Sequence, residues 1–216
     1  AWYDSTDSAG WVAGGILPIV QQYFKSQLLR DRTAYLKPMH GRRVYTDFYH
    51  RENHIIDDTT DDAPQVGHPE LLNRIHLGWN SGLANYTRHG PTLMWLYEHS
   101  RIPFFLKHTR PSGEPTASRP IPLSCRMGIS YNHKTVSYQR QQLRARLSQH
   151  IASNKLARGA YFRELRKSRA VISPFGLGEI TLKDFEVFLT GGLLVKPDMS
   201  HLRTWPDFYQ DKQTIL

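Results

Sequence analysis

Residues 173–198 read S173-P-F-G-L-G-E-I-T-L-K-D-F-E186-V-F-L-T-G-G-L-L-V-K-P-D198, and their reading decides the fold. The preceding A170-V-I-S173 is a short β-prone run, stopped by Pro174. F175-G-L-G178 then supplies the small residues of a strand-to-helix loop. Apolar residues at Ile180, Leu182, Phe185, Phe188 and Leu189 predict a helix from about Glu179 to Thr190, ended by Gly191. L193-L-V195 predicts the next strand. Strand, glycine loop, helix and strand in that order is the repeating unit of a parallel sheet with helices on its faces.

The same pattern extends backwards. I121-P-L-S-C-R-M-G128 predicts a strand ending in a turn. T135 to I151 predicts an amphipathic helix, with Val136, Leu143, Leu147 and Ile151 on one side and Arg140 and Arg144 on another. A160 to S168 predicts a second helix. Residues 1–110 read as mixed α and β. D4-S-T-D-S-A-G10 is a turn or loop, P18 to L29 reads as a helix through Ile19, Tyr23 and Leu28, and G90 to H99 as a helix with a proline in its first turn. H50 to D62 is polar and expected to be exposed. Four prolines in R110 to P122 mark a linker over 111–122, or a surface loop, between a first part (1–110) and a second (123–216). The chain starts at Ala1 inside a strand-like pattern and stops at Leu216 without a terminal cap, so it is expected to be part of a longer protein.

Composition narrows the partners. There are 28 Lys and Arg against 19 Asp and Glu, a net charge of +9, which attracts phosphates on a nucleotide, a nucleic acid or an anionic membrane face. The lone Cys125 excludes an internal disulfide and fits a reducing compartment. The longest apolar run, residues 10–20, is too short to span a bilayer and contains Pro18. Neither G-x-x-x-x-G-K-S/T nor G-x-S-x-G occurs, which removes support for P-loop and serine-hydrolase chemistry. His50 and His54 precede a run of aspartates but lack the order of a metal-binding helix, and no metal ligand is assigned.

In parallel α/β sheets ligands bind beyond the carboxyl ends of the strands, where the 175–178 loop belongs. Backbone amides near Gly176 and Gly178, with a helix N-terminus, favour a phosphate. Glu179 either contacts a ligand there or stabilises the first turn. On the predicted helix Glu179 and Glu186 lie two turns apart on one face, suited to the hydroxyls of a sugar or ribose, or simply solvated.

S173-P-F-G-L-G-E, D184-F-E186, G191-G-L-L-V and K196-P-D-M together resemble the C-terminal domain of GT-B glycosyltransferases, exostosin-like and family-one-type members included. The resemblance is clearest over 121–209. It implies two Rossmann-like domains around a cleft, with a nucleotide-sugar donor held mainly by the second. It assigns Glu186 to the donor ribose. The family's first glutamate falls at Gly178, with Glu179 one residue further on. Arg126 and Lys134 resemble the cations that bind the donor diphosphate, without a metal, and Lys196 and Asp198 lie at the same predicted sheet edge. An acceptor base would come from the first domain, where Asp7, Asp4 and His50 are the candidates; a turn role for the two aspartates is the alternative. The implied partners are the donor and a glycan or other hydroxyl acceptor, with no further cofactor and no nucleic acid. The implied setting is cytoplasmic glycan or polysaccharide synthesis, at or near the inner face of an anionic membrane. Two other readings stay open. One is a nucleic-acid module built on Arg140, Arg144, Arg146, Arg163, Arg166, Lys167 and Arg169, interleaved with Tyr138, Tyr161 and Phe162. The other is an inactive glycosyltransferase-like protein.

Overall fold

A computed structural model describes residues 1–58, 62–80, 85–106, 109–212 and 215–216. The chain is mixed α/β, with parallel sheets flanked by helices. β5 (Ile121–Ser124), β6 (Ser168–Ile172) and β7 (Leu193–Val195) form one parallel sheet with β6 in the centre. Helices α3 (Lys134–Leu147) and α4 (Arg158–Lys167) connect β5 to β6, and α5 (Leu182–Leu189) connects β6 to β7. A second parallel sheet has the order β1 (Trp2–Asp4), β2 (Tyr23–Lys25), β4 (Ile75–Leu77). α1 (Val44–Asn53) and α2 (Gly90–Ser100) complete the α-helices among the described residues. A two-stranded antiparallel ladder joins distant parts of the chain: β3 (Gln27–Leu29) pairs with β8 (Leu202–Thr204). The apolar core draws on Leu17, Tyr23, Leu28 and Ile75 as well as on Val136, Leu165, Val171 and Leu194.

Three expectations change. The predicted helix over 18–29 is a one-turn 3-10 segment at Leu17–Ile19 followed by β2 and β3, and Ile19 is exposed. Two polar side chains, Lys25 and Gln27, are buried in this stretch, so the strand alternation is invisible to an apolar count. Lys25 is neutralised by Asp4, its neighbour in register across the sheet, with Nζ 2.7 Å from Oδ2. Residues 50–58 are not simply exposed. Asp57 is buried and accepts the Thr135 amide at 2.8 Å and its hydroxyl at 2.7 Å, which caps α3; residues 59–61 lie outside the described residues. Finally, the helix after β6 starts at Leu182, not Glu179. Thr181 and Asp184 form a reciprocal capping box, so Glu179 and Glu186 do not share a helix face. Just before β5, Arg119 is buried and donates to the carbonyls of Glu114, Ser168 and Thr190, which ties residues 114–119 to the sheet.

Candidate functional site

The loop after β6 is held from the other sheet's side. The Tyr45 hydroxyl donates to the Gly176 carbonyl, and the Arg43 Nε donates to the Leu177 carbonyl. A Cβ built on Gly178 would lie 1.9 Å from the Asp7 carbonyl oxygen, so the backbones of 175–179 and 5–8 touch and only glycine fits between them. The same steric limit bars a glutamate, or any side chain, from position 178. Glu179 is fully buried, and its Oε2 accepts the Ala9 amide at 3.1 Å. Burial pushes its carboxyl above the ordinary value.

Of the cavities that open around this contact, two lie at the carboxyl edges of the parallel sheets. The first, of about 590 Å³, opens at the carboxyl edge of the β5–β6–β7 sheet. Its wall holds five cations, Arg126, Arg140, Lys155, Arg158 and Lys183, against two acids, Asp7 and Glu186. Arg126 is already committed, with Nη2 2.8 Å from Glu164 and Nη1 donating to Asn154 Oδ1 at 2.9 Å. Arg158 lies 3.4 Å from Glu186. Among the described residues no carboxylate pairs with Arg140, Lys155 or Lys183. Arg140 is the most unusual. It is 6 % exposed, yet its guanidinium donates only to neutral oxygens, Nε to the Phe175 carbonyl at 2.9 Å and Nη1 to the Gly128 carbonyl at 3.1 Å. Burial pulls its pKa down, as expected for a charge without a counter-charge. Lys183 donates to the Arg126 carbonyl, and burial brings its ammonium down to about 8. A buried cation without an acid is costly; an anion in the cavity would supply the missing charge. Glu186 is buried on the same wall, and burial raises its carboxyl.

The second cavity, of about 620 Å³, lies at the carboxyl edge of the β1–β2–β4 sheet and is walled by Tyr3, Phe24, Trp79 and Trp205. Trp79 and Trp205 have ring centroids 5.8 Å apart, and Tyr3 stacks on Phe24 at 5.0 Å. Asp7 and Ile180 line both cavities.

Of the residues singled out in the sequence, Asp7, Arg126, Gly176, Gly178 and Glu186 meet at the cationic cavity. The others do not. Lys134 is exposed and paired with Asp58. Lys196 is buried and bound to Asp184, Nζ to Oδ2 at 2.9 Å, so it anchors the start of α5 to the sheet. Glu179 lies beneath the loop without surface of its own. Asp4 is consumed by Lys25. His50 stacks on His40 at 4.0 Å, and its Nδ1 is 3.0 Å from the Ile55 carbonyl. Asp198 accepts from Ser200 in a turn. Sequence reading named Arg140 only in the nucleic-acid alternative, and it missed Lys155, Arg158 and Lys183. A usable signal existed for Arg140: it lies four residues after the buried Val136, one turn along the same helix face.

In comparisons with known proteins, no family model matches the chain and no curated protein resembles it closely enough to count as a relative.

Proposed function

We propose that this chain belongs to a nucleotide-sugar-dependent glycosyltransferase of GT-B type, whose two Rossmann-like halves meet at Asp7. Arg140, Lys155 and Lys183 neutralise the donor diphosphate, the 176–178 loop closes against it, and Glu186 accepts hydrogen bonds from the ribose hydroxyls. The acceptor, a glycan or another hydroxyl compound, enters over Trp79 and Trp205. In the transfer the bond between the anomeric carbon and the diphosphate oxygen breaks, and its electron pair leaves with the diphosphate. The acceptor oxygen bonds to that carbon and gives its proton to the Asp7 carboxylate. Charge stabilisation of the leaving group by preorganised cations is the main catalytic contribution expected.

One observation carries this reading: a cation-rich cavity at the carboxyl edge of a parallel sheet, containing a buried arginine without an acid. Calorimetric titration with UDP-, GDP-, ADP-, TDP- and CMP-linked sugars tests it. One donor class is expected to bind, and Arg140→Ala to weaken it about 10- to 100-fold, the worth of a charged hydrogen bond. Asp7→Asn should keep donor binding and lose transfer. Failure of every donor to bind, or unchanged affinity in both Arg140→Ala and Glu186→Ala, would sink the proposal.

A further inference from the structure

The segment from Gly90 to Leu106 lines neither cavity, and it gathers exposed apolar side chains within a short stretch. α2 carries five consecutive apolar residues, L93-M94-W95-L96-Y97, yet Gly90 is the only buried residue in the helix. It ends at Arg101 and turns back through the 3-10 segment Pro103–Phe105, the element it chiefly packs on. Met94, Trp95, Ile102, Phe104 and Leu106 are all exposed, Trp95 by 56 % and Phe104 by 69 %. A helix that is apolar around its circumference is normally covered. Charge identifies the cover. Between 88 and 110 the sequence holds Arg88, Arg101, Lys107 and Arg110, with Glu98 as the sole acid, and Arg88, Arg101 and Arg110 are exposed. His89 and His99 are exposed beside them, and the His99 ring lies tilted against Trp95 with centroids 4.2 Å apart.

Among the described residues no helix is long and apolar enough to cross a membrane. An 11-residue helix spans about 16 Å, half a hydrocarbon core, and suits the interface plane instead. Tryptophan and phenylalanine at headgroup depth, flanked by arginines, is the composition of an interfacial anchor. We infer that residues 90–106 form a docking hairpin that lays Trp95, Ile102 and Phe104 into the surface of an anionic bilayer. The flanking arginines contact lipid phosphates. This surface is independent of the donor cavity.

Co-sedimentation of the chain with phosphatidylglycerol-containing vesicles, against phosphatidylcholine vesicles, is the test. Binding to the anionic vesicles is expected to fall with added salt. It should weaken about tenfold or more in the double variant Trp95→Ala/Phe104→Ala, whose melting temperature stays near that of the parent because both side chains are exposed. Light scattering of the same samples gives the competing outcome. The inference is overturned if the chain stays in the supernatant, if the double variant pellets equally well, or if a dimer forms that the double variant abolishes, since a second copy would then be the cover.

Discussion

Replacing Gly178 by alanine tests the contact on which the site is built. The added Cβ would meet the Asp7 carbonyl oxygen at 1.9 Å, the carbonyl carbon at 2.6 Å and the Asp7 Cβ at 2.8 Å. Two of these three atoms are backbone, so no side-chain rotation relieves the clash. To reach an ordinary contact near 3.4 Å, one loop has to withdraw by about 1.5 Å from the other. That movement strains the hydrogen bond from Ala9 to the buried Glu179, 3.1 Å long in the native chain. Overpacking and a weakened bond to a carboxyl group together cost about 2–4 kcal/mol. For a chain of this size each kcal/mol lowers the melting point by about 2–4 °C, so a drop of about 4–16 °C is expected by calorimetry. Gly15→Ala is the matched control. Nothing lies within 4 Å of its Cβ position and its φ is not positive, so it should melt within a degree or two of the parent or slightly above it. A Gly178→Ala chain that melts with the parent would refute the close-approach argument.

Glu179→Gln carries a pH signature. Burial raises the native carboxyl pKa above the ordinary 4.5, so the folded chain holds a proton that the unfolded chain releases, and the associated stability is lost as pH rises through the folded value. Urea midpoints measured from about pH 4.5 upward should therefore decline more steeply in the parent than in the variant. Part of the slope survives, because Glu186 shifts in the same direction; parallel curves would contradict the assignment. Lys196→Met leaves Asp184 buried without its cation, although Ser173 and Tyr209 still donate to it. The expected loss is about 3–5 kcal/mol by chemical denaturation, and a loss below about 1 kcal/mol would mean that the hydroxyls alone satisfy the carboxylate.

The second half of the chain was largely legible. Short β-branched runs bounded by proline and glycine gave β6 and β7, and helical periodicity gave α3 and α4 to within a few residues. The glycine loop was rightly read as lying at the carboxyl edge. Other features depended on partners distant in sequence. Lys25 and Gln27 look like solvent-facing helix residues until Asp4 and the Asp7 carbonyl are seen to receive them. Glu179 reads as a first-turn acid only if the local T181-L-K-D184 capping signature, which starts the helix at Leu182, is passed over; that the acid is then buried against the Ala9 amide has no local signal. Arg140 was read as part of a polar face, whereas the carbonyls of Phe175 and Gly128 draw it inward. In each case a polar group was buried by a bond that composition and periodicity do not encode.

The ladder between β3 and β8 bears on the order in which the molecule can assemble. β3 follows β2 closely in sequence, yet its partner strand lies near the far end of the chain. The bond from Ala9 to Glu179 likewise joins residues 170 apart. Closing a loop of that length costs roughly 4.5 kcal/mol of chain entropy beyond a constant, before either contact contributes. The β5–β6–β7 sheet has much shorter connections and can form first. The loops bearing Asp7 and Gly178 meet only when that long closure is made, so the Asp7 wall shared by the two cavities is expected to be added after the β5–β6–β7 sheet has formed.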